Sequence, residues 1–298
     1  MKKNYNNNYW YKYNSYLDNI KLLELHYKNF SHTFYYKDKI CGQKFESPNE
    51  IKIKYTELNY FLSELHNKFK INKINKFYGR IFPYLPHNEQ NEISKIMKDL
   101  KYKFYNEKYL NLNLLNSELI LKKNIRKSYK SIINKEENKI IKIYISASNF
   151  DNHKNIFNEW ISLYSKAIIR GGKKFPSTCY NLLIEAICNN EAILTLAYDK
   201  NKILGGMLFN IQGDIANYSS AANSIEIESD KTRNIGHNLM WNSILFLKSI
   251  QIRNLNFGVM PNKNQIDNDR KLQNIFFFKT GFGAIINTQL SFERDYEN

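Results

Sequence analysis

A chain of 298 residues holds one large domain or two modest ones, either with an ample core and no need of disulfide or metal staples. Cys41, Cys179 and Cys188 stand at no framework or metal-ligand spacing, and no apolar run reaches membrane-spanning length. Secreted, membrane-spanning and zinc-ribbon classes are therefore set aside, and no metal site is expected. The start, Met1-Lys2-Lys3-Asn4-Tyr5, lacks a signal-peptide core, which predicts a cytoplasmic protein. The net charge of +16 is uneven: residues 1–150 carry 28 Lys/Arg against 14 Asp/Glu, and residues 151–298 carry 16 against 14. The 37 lysines and 43 asparagines reflect a coding bias that acts on both halves alike, so the asymmetry fits either an anionic partner for the first half or a solvated basic surface.

In chain order, Tyr36–Phe45 reads as a β-hairpin with Lys-Ile-x-Gly opening its second strand. A helix over about Thr56–Phe69 and a strand ending Phe77-Tyr78-Gly79-Arg80-Ile81-Phe82-Pro83 follow. Asn116–Lys135 reads as one amphipathic helix, with Leu121, Ile125, Tyr129 and Ile132 on its apolar face. Its second stripe is basic: Lys122, Lys123, Arg126, Lys127 and Lys130, with no acid within nine residues. Asn116 or Ser117 suits the N-cap. Then come a strand at Lys139–Ser146, a helix through Trp160 and Tyr164 ending at Arg170-Gly171-Gly172, and a helix over Ser177–Asn190. Three strands follow, Ala192–Tyr198, Lys202–Ile211 and Ile215–Ala222. The chain closes with a helix at Gly236–Ile250, a strand at Leu255–Gly258, a helix at about Asn268–Thr280 and a strand at Ala284–Glu293.

The order hairpin, helix, strand, Gly, Pro occurs twice, first from Tyr36 to Pro83 and again from Tyr198 to Pro261. A shared order of this kind predicts an internal duplication.

Two segments carry chemistry. Arg233-Asn234-Ile235-Gly236-His237-Asn238 enters a helix, whose start offers free N–H groups to a phosphate, with Gly236 letting the backbone come close. Lys279 sits among Phe276, Phe277, Phe278 and Phe282, where loss of water strengthens its field on a developing oxyanion.

Several motifs in order complete the picture. Arg126-Lys127-Ser128-Tyr129-Lys130-Ser131 precedes the basic turn Arg170-Gly171-Gly172-Lys173-Lys174, then Gly205-Gly206 and Tyr218-Ser219-Ser220-Ala221-Ala222. His237-Asn238-Leu239-Met240-Trp241 and Phe278-Lys279-Thr280-Gly281-Phe282-Gly283 end the set. From Asn116 to Glu293 the chain resembles the FemAB-like branch of the GNAT acyltransferase superfamily. The resemblance implies an α/β (α+β) fold of two tandem GNAT-like domains, each a mixed, mostly antiparallel sheet flanked by helices. The boundaries expected are 1–138, ending in the basic helix 116–135, and 139–298.

It also implies an acyltransferase or aminoacyltransferase, moving a group from acyl-CoA, acyl carrier protein or aminoacyl-tRNA to an amine of an envelope sugar or peptidoglycan-type precursor. The family's closing Phe-Lys pair maps onto Phe278 and Lys279, the lysine stabilising charge at the reacting carbonyl. The superfamily's acetyl-CoA loop, Gln/Arg-x-x-Gly-x-Gly/Ala, matches Arg233 and Gly236, with His237 between and Asn238 in place of the last small residue. Arg126, Lys127 and Lys130, with Arg170 and Lys173 as secondary candidates, are expected to hold phosphates of the donor or of a nucleotide-linked or lipid-linked acceptor. No tightly bound cofactor and no DNA partner are expected; charged tRNA or acyl carrier protein as a partner, and peripheral membrane contact, are compatible with the resemblance. The long coiled-coil insertion of some Fem transferases is missing. The rival readings are a non-catalytic basic nucleic-acid binder and a degenerate GNAT scaffold.

Overall fold

The computed structural model describes residues 21–27, 30–37, 40–42, 55–80, 87–136, 141–172, 174–199, 202–224, 235–260 and 269–296. Their elements in chain order are β1 (Lys21–Tyr27), β2 (Phe30–Lys37), β3 (Ile40–Gly42), α1 (Tyr55–Ile71), β4 (Lys76–Arg80), α2 (His87–Asp99), β5 (Lys103–Asn113), α3 (Glu118–Asn124) and α4 (Lys127–Glu136). Next are β6 (Ile141–Ile145), α5 (Lys154–Arg170), α6 (Ser177–Cys188), β7 (Ala192–Asp199), β8 (Lys202–Gln212), β9 (Ile215–Asn223) and α7 (Ile235–Ser249). The last are β10 (Asn254–Val259), α8 (Arg270–Thr280) and β11 (Ile285–Asp295). This is the expected α/β class with mixed sheets.

Contacts divide the chain into two compact units, Met1–Glu107 with Thr288–Asn298, and Lys108–Asn287. The boundary expected at residue 138 thus falls near 107, and the end of the chain returns to the first unit. The cause lies in strand pairing. In the first unit β1, β2 and β3 form an antiparallel meander, β4 runs parallel to β3, and β11 pairs antiparallel with β4. In the second, β6, β7, β8 and β9 are antiparallel neighbours, β10 runs parallel to β9, and β5 pairs antiparallel with β10.

The order three strands, helix, parallel strand, helix, strand therefore occurs twice, as β1-β2-β3-α1-β4-α2-β5 and β7-β8-β9-α7-β10-α8-β11. The last strand of each repeat pairs with the parallel strand of the other. The two Lys-Ile-x-Gly hairpins are not topological counterparts, however. β2–β3 matches β8–β9, one hairpin later than the sequence likeness placed it, because a charged tight turn suits any hairpin.

Each unit has its own core. Leu58, Phe61, Leu62, Leu65 and Phe69 recur along one face of α1 and pack with Met97, Phe77, Tyr102 and Phe292. His66 on that helix meets the Tyr102 hydroxyl through Nε2 at 2.7 Å, with Arg294 beside it. In the second unit α7 is buried along Leu239, Met240, Trp241, Ile244 and Leu247. It packs on α4 and on β7 and β8, where its Ser243 Oγ lies 2.7 Å from Thr195 Oγ1. α5 and α6 pack on β8, β9 and β7. Gly206 admits the Trp160 ring, since a Cβ there collides with the indole nitrogen.

The basic helix expected over 116–135 is two helices. Ile125 is extended (ψ 139°) and ends α3. The Arg126 N–H then donates to the Gly281 carbonyl at 2.9 Å, leaving the helical ladder. A tertiary hydrogen bond overrides the periodicity at this one residue.

Candidate active site

β9 and β10 pair in parallel only from Ile215 to Asn217 and from Asn254 to Asn256. Beyond these residues two bulges lie close together. In β9, Ser219 has no partner in the β8 register, which steps from Tyr218 to Ser220. In β10, Phe257 is skipped against β5, where Asn256 faces Asn111 and Gly258 faces Leu110. A bulge re-aims the groups beside it. The Asn256 side-chain oxygen accepts the Gly258 N–H at 2.8 Å, and Gly258 takes φ +94°, a conformation that favours glycine.

Lys279, near the end of α8, enters where the pairing stops. Its Nζ donates to the Phe257 carbonyl at 2.5 Å and lies 5.7 Å from the centre of the Tyr218 ring. Burial lowers the Lys279 pKa and pushes the Tyr218 hydroxyl up to about 12. An ammonium has three donors, and the Phe257 carbonyl engages one of them. The arrangement is a fixed, poorly solvated cation at a gap between parallel strands, suited to an oxyanion. Asn256→Ala is expected to loosen the bulge and lower kcat about tenfold, since small misplacement at a reacting centre is costly. Asn256→Asp, which keeps the acceptor, should restore most of the loss in the same steady-state assay.

The rest of the closing motif locks the end of α8. The Phe282 side chain is buried in the second unit's core. Gly281 lies so close to Tyr129 that any Cβ falls inside the ring's contact distance. Gly283 has φ +81°, and a Cβ on it falls 2.8 Å from Asn124 Cβ. Arg126 Nη1 donates to the Phe277 carbonyl at 3.1 Å and to the Tyr129 hydroxyl at 3.2 Å, with its guanidinium 3.5 Å from the Phe277 ring centre. Its charge thus caps the carbonyl end of α8.

Phe278 packs on Phe282 and on His237, ring centres 5.1 and 5.2 Å apart. His237, in the first turn of α7, also meets Tyr129 edge-on at 4.2 Å. Asn238 is buried and donates to the Ile133 carbonyl at 3.3 Å. It ties α7 to α4. Gly236 meets only ordinary contacts, 3.9 Å to Phe278, so packing does not demand glycine there.

Burial, with a nearby arginine, holds both His66 and His237 down at about 4. A histidine whose folded pKa is depressed binds fewer protons folded than unfolded, so stability is full above pH 6.5 and drains as pH falls toward 4. Burial pushes Glu191 up to about 7, which acts in the opposite sense, losing stability as pH rises through that value. Two histidines outweigh one carboxyl, so the melting temperature is expected to fall from pH 7 to pH 5. Glu191→Gln removes the opposing group and should steepen the fall, as thermal melts across that range will read.

The remaining cations disperse. Lys127 is exposed, and Lys130 Nζ donates to the Lys123 carbonyl at 2.8 Å, bracing α4 on α3. Arg170 is on α5, where it borders a cavity of about 770 Å³ with Lys166, Leu163, Ile169, Lys202 and Asn223. Arg233 and Lys173 lie outside the described residues. The structure thus brings Lys279, Phe278, His237, Gly236 and Arg126 together, and does not bring Lys130 or Arg170 to them through any contact described. The Phe257 carbonyl, Gly258, Lys166 and Lys202 are features that sequence reasoning missed, and Tyr218 stood in a quoted motif without a role of its own. Asn256-Phe257-Gly258 does carry a signal, a glycine inside a strand pattern.

No protein-family model matches the sequence, and no curated protein matches it. Solved structures do. FemX aligns with a TM-score of 0.63 at 12% identity, over 93% of this chain and 88% of that one. The C-terminal domain of a protein described as a lysylphosphatidylglycerol synthetase, from Agrobacterium fabrum, gives 0.62 at 9% identity, over 93% and 84%. A tandem GNAT protein from the clavulanic acid biosynthesis pathway gives 0.50 at 7% identity, over 90% and 79%. The fold is shared with FemX and with this tandem GNAT protein.

Proposed function

We propose that this chain is an acyltransferase or aminoacyltransferase. It would move a group from acyl-CoA, acyl carrier protein or aminoacyl-tRNA to an amine of a cell-envelope precursor. The observation that carries this reading is Lys279, its ammonium held on the Phe257 carbonyl where β9 and β10 stop pairing, within a fold shared with FemX. Amine attack on an ester or thioester carbonyl forms a C–N bond and places negative charge on oxygen. Collapse of that adduct expels the alkoxide or thiolate of the carrier, and the amine's proton leaves with it. A preorganised ammonium lowers the energy of the charged adduct by a few kcal/mol.

Supporting roles follow from position. The start of α7 at Gly236, where helix N–H groups lack partners within the helix, would orient the donor's phosphates. Arg170, with Lys166 and Lys202 around the cavity on α5, holds the phosphate of the acceptor, nucleotide-linked or lipid-linked. Lys127 remains a cation for either. Arg126 and Lys130 serve as positioning residues, since carbonyls already engage them. That thins the basic stripe and weighs against the nucleic-acid-binding alternative, which needs a continuous one.

The test is incubation with acyl-CoA or charged tRNA and an extract of envelope sugar nucleotides, read by mass spectrometry. The expected product gains an acyl or aminoacyl mass, and its size identifies the donor. Absence of any increment across all donors overturns the proposal.

A further inference from the structure

The turn between β5 and α3 exposes large aliphatic side chains to water. Leu115 is 66% exposed, Leu119 81% and Ile120 46%. Single exposed leucines are ordinary, but three within six residues make a patch. Leu121, one residue on, is buried, so α3 has a distinct inner and outer face.

A hydrogen-bonded frame holds the patch outward. The Leu115 N–H donates to Asn113 Oδ1 at 2.9 Å, and Lys248 Nζ donates to the carbonyls of Leu114 and Asn116, each at 2.8 Å. Ser117 accepts the Ile120 N–H at 3.4 Å as the helix cap. The backbone is thereby satisfied without help from the aliphatic side chains, which contribute nothing to the turn they sit on.

Charge surrounds the patch on one side. Lys122 and Lys123 follow Leu119 by three and four residues, hence one turn along the same face, and Lys127 is exposed beyond the break. Glu118 is the single acid on α3. Aliphatic tips with ammoniums one turn away match an anionic bilayer, where hydrocarbon enters the interface and lysines reach lipid phosphates. A protein partner fits less well, because the patch has no aromatic or Met anchor and is rimmed by lysine, a residue depleted at such interfaces.

We infer that the Leu115–Lys123 turn rests on an anionic lipid surface. The attachment is peripheral: among the described residues no helix is long and apolar enough to cross a membrane. This surface is tested without an activity assay.

The experiment is co-sedimentation of the full chain with vesicles of phosphatidylcholine alone, or of phosphatidylcholine with about 30% phosphatidylglycerol. The wild type should bind the anionic vesicles, and less so as salt is raised. Leu119→Asp with Ile120→Asp should weaken binding at least tenfold while leaving the thermal melt unchanged, because both side chains are exposed. Lys122→Glu with Lys123→Glu should lose the preference for phosphatidylglycerol. A wild type that binds neither vesicle, or an aspartate variant that binds as well as the wild type, overturns the inference. So does a patch-dependent dimer in sedimentation without vesicle binding, which assigns the face to a second copy.

Discussion

Lys279→Met is expected to lower turnover by about 100-fold or more, the effect of removing one preorganised donor to an oxyanion. Methionine nearly matches the lysine stem in length and suits a buried position, so the aromatic surroundings stay in place. The structural cost is the Phe257 carbonyl left without its donor, about 1 kcal/mol, which a melt registers as a few degrees. Single-turnover kinetics with donor bound in advance separate loss of chemistry from loss of binding. A rate within threefold of wild type would remove Lys279 from the reaction and with it the central argument for catalysis. Lys279→Arg is informative beside it: the longer guanidinium keeps the charge but cannot sit at the same point between Phe257 and Tyr218.

The largest stability effect is expected at Gly281. A methyl group there falls inside the ring of Tyr129, so either the ring or the end of α8 must move. Overpacking of this kind costs roughly 2–3 kcal/mol. Tyr129 in turn holds Arg126 and packs on His237, so the displacement passes to the start of α7 and to the helix carrying Lys279. Gly281→Ala should therefore lower the melting temperature and turnover together. Adding Tyr129→Leu makes room and should recover part of the stability, a coupling that a double-mutant cycle measures. Simple additivity of the two changes is the result that would refute the contact.

Much of the fold is legible in the residues themselves. β7 and β8 read as buried apolar runs, and α5 announces itself through Phe157, Trp160 and Tyr164 at helical spacing. The closing Phe-Lys-Thr-Gly-Phe-Gly segment stands out for chemistry, and its glycines for turning the chain. In the structure the same glycines are needed because Tyr129 and Asn124 come within contact distance, which spacing alone cannot reveal. α2 and β5 escape the sequence for a different reason. β5 reads Lys-Phe-Tyr-Asn-Glu-Lys before its leucines, and its first six residues are mostly exposed, so no apolar alternation marks them. The break at Ile125–Arg126 is illegible because its cause, the Gly281 carbonyl, is 155 residues away in sequence. The partner of Lys279 is a main-chain carbonyl on a bulge, and no side-chain pattern encodes that.

The pairing of β4 with β11 also governs how the protein is made. Arg80 faces Ser291 in that ladder, and Phe292 fills the core beside Phe77, so the first compact unit is completed by a strand that follows β4 by about two hundred residues. Synthesis delivers β4 with about two hundred residues still to come, during which its antiparallel edge has no neighbour from its own final strand. Closure of this unit waits for that strand, a long-range loop closure of the kind that slows folding. A chain ending before Thr288 would lose the last strand of one repeat and leave Phe77 uncovered on that side. β11 staples shut a unit that β1 to β4 began.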